Sequence, residues 1–207
     1  MNNARLAVGL EGVAIAERAY QQARDYALER VQSRDASSKS HDAVTIIHHP
    51  DVKRMLLSMK SRTEATRALA YSTAATLDTA NRHPDSEKRA SAQAMLDLLI
   101  PVVKAWSTDI GIDVANIGVQ VHGGMGYIEE TGAAQHLRDA RIASIYEGTN
   151  GIQAIDLVGR KVVRENGETI GTLIADIRRF APKAANDDLT AIAERLETAT
   201  NALEKAT

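Results

Sequence analysis

The sequence predicts an all-α fold, an antiparallel four-helix bundle with further helices appended at its C-terminal end. Apolar residues recur at helical spacing over three long runs. Aromatic content is only 3%, with one Trp and one Phe against abundant alanine, and just 4 prolines interrupt 207 residues. That composition favours packed helices over sheets or stacking platforms. With 44% hydrophobic and 25% charged residues, the chain can bury a sizeable core, which excludes disorder as a description of the whole.

Taken in order, the first run extends from Asn2 to about Val31. Leu6, Leu10, Val13, Tyr20, Ala27 and Val31 follow helical spacing, and Ala7, Val8, Gly9, Gly12, Ala14 and Ala16 widen the apolar surface. The segment SRDASSKSHD, residues 33–42, is rich in Ser and Asp, whose side chains compete for backbone hydrogen bonds, and predicts an exposed loop. A second helix is expected from Pro50, acceptable in a first turn, through Met55, Leu56, Met59, Thr66, Leu69, Thr73 and Leu77. NRHPDSEK breaks it. The third run, from about Glu87 to Gln120, carries Met95, Leu98, Leu99, Val102, Val103, Ile110, Val114 and Ile117, with Pro101 placed to kink rather than end the helix.

The glycines of HGGMGY then permit positive φ and a tight turn. A short helix is expected over Thr131 to Ala143. IYEGTN interrupts, and a fourth core helix is expected through Ile152, Ile155, Leu157, Val158 and Val162. This divides the chain into a bundle over 1–166 and appended amphipathic helices over 167–207, marked by Leu173, Ile174 and Ile177, then Leu189, Ile192, Leu196, Ala199 and Leu203.

The 25 basic and 27 acidic residues are mixed along the chain, for a formal charge of -2. This gives no general reason to bind nucleic acid or anionic membrane. The absence of cysteine excludes disulfides, thiol catalysis and thiolate metal sites, and fits a cytoplasmic protein. No apolar stretch approaches the ~18 residues of a spanning helix, and the first residues lack the pattern of a secretory signal. His41, His48 and His49 have no carboxylate or histidine companions at ligand spacing on one element, so no metal is expected.

Two glycine-bearing interruptions, Gly123 to Gly126 and Gly148 to Gly151, flank the short helix. They are either ordinary connecting turns or a pair of breaks that bring exposed backbone to one cleft. Glu147 between them is equally open: a solvated helix-end charge or a reactive carboxylate. QVHGGMGY followed by HLRDARIASIYEGTNGIQ, however, resembles the signature of the acyl-CoA dehydrogenase C-terminal domain. The likeness extends from NNARLAVGLEGVAIAERAY to about Arg160. HPDVKRMLLSMK and SSKSHD resemble the larger bacterial branch.

The resemblance implies the third domain of a three-domain flavoenzyme, without the N-terminal helical and central β domains. It implies FAD-dependent α,β-dehydrogenation of acyl-CoA thioesters, as in fatty acid β-oxidation, with electrons passing to an electron-transferring flavoprotein and subunits associating as homo-oligomers through the bundle. Glu147 falls on the family's base, which takes the α-proton while its backbone N–H helps hold the thioester carbonyl, and Gly148 follows it at the substrate. Relatives that carry the base on the first helix do so at the position of Ala4, which leaves Glu147 as the candidate. Arg5 matches an arginine near the CoA moiety. Gln120 and Gly124 match contacts to FAD from the neighbouring subunit, and Thr149, Asn150 and Gly151 sit where the loop meets FAD. Arg30 corresponds to a cofactor arginine, although RVQSRDAS departs from the family's pattern there and Arg34 is a substitute. The alternatives are a non-catalytic helical assembly module and the family's DNA-associated branch, which the near-neutral charge disfavours.

Overall fold

The structure, a computed structural model, describes residues 2–35, 41–184 and 189–207. Helix α1 (Asn2–Glu29) leads to two short strands, β1 (Val31–Arg34) and β2 (Ala43–Thr45), then to α2 (Pro50–Arg82) and α3 (Ser86–His122). After the short α4 (Gly124–Tyr127) come α5 (Ala133–Ala143), α6 (Asn150–Asp156), α7 (Glu168–Ala184) and α8 (Thr190–Ala206).

The helices run up, down, up and down. Helix α1 is parallel to α3, because Gly9 lies against Val103, Gly12 against Ser107 and Thr108, and Ala19 against Gly118. Helix α2 opposes both: Arg62 near its start pairs with Asp113 at 3.0 Å, while Ala70 and Leu77 further along pack with Leu96 and Ile100. Asp85 makes the α2–α3 turn sharp by accepting from the Glu87 N–H at 2.8 Å, a cap that satisfies a free helix-end donor. Pro101 is buried inside α3, which continues through it.

The core lies along α3. Ala16, Ala23, Met59 and Val114 form one part, Leu6, Val13, Ala70, Leu96 and Val103 a second, and Leu98 with Ile170 and Ile174 of α7 a third. Helix α8 packs on α7, with Arg178 donating to Glu204 and Asn201. Ile192 and Leu203 of α8 are exposed, as is Leu189 just before it.

Three expectations need correction. The fourth core helix follows the IYEGTN interruption as expected, as α6 continued by a π-helical turn over Leu157–Val162, but it turns a different face inward. Its buried residues are polar, Gln153 and Asp156, and Ile152, Ile155 and Val158 of the expected core are exposed, while Leu157 and Val162 pack against the third cluster as expected. Helix α1 ends at Glu29, short of Val31, and the expected loop over residues 33–42 is flanked by the antiparallel pair β1 and β2, with Val31 opposite Thr45 and Arg34 opposite Ala43; residues 36–40 of it lie outside the described residues. Strands of four and three residues are too short for alternation to show. Lastly, α5 begins at Ala133, because Thr131 closes a preceding 3₁₀ turn and Gly132 takes a left-handed φ of 78°.

Candidate functional site

Between α5 and α6 the chain makes a closed loop. The N–H groups of Ile145 and Tyr146 both donate to Ile142 O, at 2.9 and 3.1 Å, and the Asn150 N–H reaches back to Ser144 O at 3.1 Å. Glu147 and Gly148 then take consecutive left-handed conformations, φ 55° and 82°. Glycine adopts this freely, whereas a glutamate does so at a cost of about 1–2 kcal/mol, held by its surroundings. Gln153 Nε2 supplies part of that hold by donating to Gly148 O at 3.0 Å and Glu147 O at 3.4 Å. Thr149 caps α6 by accepting from the Ile152 N–H at 3.3 Å. The result presents the Glu147 side chain to solvent, beside exposed Ile142, Ile145 and Ile152.

Beneath the loop lies a polar network that periodicity did not reveal. Asn150 Oδ1 accepts from Lys104 Nζ at 2.9 Å. Asn150 Nδ2 donates to Asp109 Oδ1 at 2.7 Å, Thr108 Oγ1 at 3.0 Å and Ala105 O at 3.2 Å. Lys104 is 0% exposed. Burial pulls its ammonium below the ordinary lysine value; Asp109 and Glu147 draw it back up, and Arg5 adds to the lowering. Arg5 is buried too, neither a surface arginine nor a free one: it donates to Asp156 Oδ2 at 2.7 Å. The sequence signal for Lys104 was a lone cation inside the apolar stretch PVVKAW, and for Asp156 a carboxylate inside IQAIDLV.

Tyr146 anchors the loop on the other side by donating its hydroxyl to the Glu11 carboxylate of α1. That hydrogen bond, with burial and the nearby Glu11 and Glu147 charges, pushes the Tyr146 phenol up to about 12 from an ordinary 10.0. Losing the proton would cost it the bond to Glu11, so the contact's stabilisation is complete below pH 10 and fades towards 12. Absorbance titration near ~295 nm, with Tyr146→Phe as the difference, should show one tyrosine titrating late, and Glu11→Gln should return it towards the ordinary value. An unchanged late tyrosine in Glu11→Gln would contradict this anchor.

Of the remaining candidates, Arg30 and Gln120 share a cavity and Gly124 lies next to it in sequence, after Gly123. Arg30, Gln120 and Gly123 line a cavity of about 430 Å³ with Arg34, His49, Tyr26 and His122. Gln120 is twelve residues beyond Thr108 on α3, about 18 Å along the axis. Gly123 ends α3 with φ 60°, and Gly124 follows it. A Cβ on Gly124 would meet nothing within 4 Å, and one on Gly151 only Thr149 Oγ1 at 3.8 Å. Gly126 differs, since its Cβ would stand 2.3 Å from Val119 O. So Gly126 serves internal packing, while Gly124 and Gly151 leave the open backbone that a dinucleotide could approach closely. The fit to FAD is therefore good: two arginines at one cavity, open glycine backbone at both breaks, and the buried Gln153 Oε1 without a partner beside the loop. Among the described residues no group of three or more His, Asp or Glu could hold a metal, and no helix is long and apolar enough to cross a membrane.

Comparison with known proteins agrees with this architecture. The profile of the acyl-CoA dehydrogenase C-terminal domain matches residues 1–162. The chain is 56% identical over 185 residues to 3-methylmercaptopropionyl-CoA dehydrogenase of Ruegeria pomeroyi, covering 89% of this chain and 30% of that protein. It is 37% identical over 180 residues to a butyryl-CoA dehydrogenase of Syntrophomonas wolfei, covering 87% and 30%. The chain thus spans about a third of the length of these relatives. Caenorhabditis elegans ACDH-11, solved in complex with C11-CoA, shares the fold with a TM-score of 0.83 at 24% identity, over 99% of this chain and 32% of that one. By its matched domain, its relatives and its fold, the chain belongs to the acyl-CoA dehydrogenase family as a C-terminal domain.

Proposed function

We propose that this chain supplies the base and one wall of the flavin site for α,β-dehydrogenation of an acyl-CoA thioester. The observation that supports it most is Glu147, an exposed carboxylate held in a left-handed backbone at a loop whose ends are joined. Such a carboxylate, covered by substrate and its own apolar neighbours Ile142, Ile145 and Ile152, becomes a stronger base as water leaves. It takes the α-proton at its carboxylate oxygen. In this reading its backbone N–H donates to the thioester carbonyl as negative charge develops there. Gly148, with φ 82°, keeps this stretch free of a side chain next to the substrate.

FAD supplies the acceptor for the β-hydride. Thr149, Asn150 and Gly151 on one side, and Arg30, Gln120 and Gly124 at the far end of the bundle, are the residues that would hold it. The separation of the two groups along α3 suits one cofactor from each of two subunits. Arg5 is engaged by Asp156, so its part is to fix α6 under the thioester rather than to reach the CoA. The electron acceptor in this reading is an electron-transferring flavoprotein, the compartment is the cytoplasm, and the apolar residues around the loop and on α6 are covered by the rest of the enzyme or by a second subunit.

Replacement of Glu147 by Gln, read by flavin reduction in a full-length dehydrogenase bearing this segment, tests the base. The 207-residue chain alone tests the shared wall. Given excess FAD, an acyl-CoA panel and an artificial electron acceptor, it should show no turnover, and light scattering should find it at least dimeric. Robust turnover by the pure chain would overturn the division of the flavin site between domains.

A further inference from the structure

A cation 0% exposed in the middle of a helical core is costly, and a methionine of similar reach would fill the same space at little or no loss. Lys104 therefore has a task beyond packing. Its ammonium donates to the side-chain oxygen of Asn150 at 2.9 Å, and no carboxylate lies within salt-bridge distance of it among the described residues. Asn150 opens α6, three residues after Glu147, and its own N–H closes the loop on Ser144 O at 3.1 Å. With Oδ1 held by Lys104, Asn150 Nδ2 is directed at Asp109, Thr108 and Ala105 of α3. The amide can then sit in one orientation only, because a flip would aim its NH₂ at an ammonium. The charges facing this group are Arg5, Asp109 and Glu147.

We propose that Lys104 is a positioning residue for Glu147: its buried ammonium locks Asn150 on α3 and so fixes the loop from which the carboxylate projects. This rests on the reading of Glu147 as the base, and its test has one arm that does not. In the 207-residue chain, Lys104→Met should speed hydrogen exchange of the Asn150 amide by about 10-fold or more while that of Ala70, in the core of α2, keeps its rate. Asn150→Ala should lose the slowly exchanging ammonium signal of Lys104 in NMR. In a full-length dehydrogenase bearing this segment, Lys104→Met should slow flavin reduction at saturating acyl-CoA by about 10- to 100-fold with little change in substrate affinity, the cost of a misplaced reacting group. The double variant should be no slower than either single, because both remove one coupling.

Unchanged exchange at Asn150 in Lys104→Met, or multiplying effects in the double variant, would overturn the proposal. Should Lys104→Met not fold, Asn150→Ala decides alone: a persistent Lys104 ammonium signal is the contrary result. Normal flavin reduction in Glu147→Gln would remove the base reading, and the exchange arm would still show whether Lys104 holds the loop.

Discussion

Flavin reduction in a full-length dehydrogenase bearing this segment should fall ~10² to 10⁴-fold when Glu147 is replaced by Gln. The amide keeps the shape and size of the side chain but cannot accept the α-proton at neutral pH. The backbone is the more delicate part. Glu147 has φ 55°, so any substitution with a heavier demand on backbone conformation would confuse loss of the base with loss of the loop, and Gln avoids that. The contacts that hold the loop use other groups: the carbonyls of Glu147 and Gly148 accept from Gln153, Tyr146 reaches Glu11, and Asn150 is fixed by α3. None involves the Glu147 carboxylate. Stability should therefore stay within the small range of surface substitutions, about ±0.5 kcal/mol. Stopped-flow reduction and melting curves on the same two proteins separate the cases. A variant that reduces its flavin at nearly the parent rate would end the role of Glu147 as base, and one that unfolds would make it a structural helix-end glutamate.

Much of this architecture was legible because long helices announce themselves by period. The runs around Leu6, Met59 and Val103 define α1, α2 and α3, and Leu6, Val13, Met59, Val103 and Val114, which the spacing selects, are buried, whereas Val31 lies exposed in β1 and the buried Leu96 and Ile100 were not selected. Period failed where tertiary pairing inverted a face. Ile152, Ile155 and Val158 look like a core stripe, yet Gln153 and Asp156 point inward, since Asp156 has Arg5 to meet and Gln153 has the loop carbonyls. No local pattern can report a partner 151 residues away. The same holds for Lys104, which a hydropathy reading takes for an interruption of an apolar run. The site residues themselves divided by kind. The proposed roles of Glu147, Thr149 and Gly151 come from the motif, whereas the polar support beneath them, Lys104, Asp109 and Asp156, appears only when α3 and α6 are placed side by side.

The largest loss of stability is expected from Gly12→Val. An added Cβ at Gly12 would lie 2.4 Å from Ser107 O, 2.7 Å from Ser107 C and 2.9 Å from Thr108 Cα, and Gly111 faces it with its own Cβ position 2.9 Å from Gly12 O. All these atoms are backbone. No side chain can turn aside, so the axes of α1 and α3 must separate, and with them the contacts of Leu6, Val13, Leu96 and Val103 that join the two helices. Valine gains some helix propensity over glycine, at most several tenths of a kcal/mol, against an overpacking cost of about 3 kcal/mol or more. For a chain of this size that lowers Tm by about 6–12 °C. Gly171→Ala is the opposite case. It lies exposed on α7 with nothing within 4 Å of its Cβ, so alanine should raise stability by up to ~1 kcal/mol through helix propensity alone. Because α1 carries Arg5 and Glu11, its displacement in Gly12→Val should also loosen Asp156 and Tyr146, which the late tyrosine titration would register as a return towards the ordinary value. A Gly12→Val chain melting at the parent temperature would mean that α1 and α3 do not cross at these two glycines.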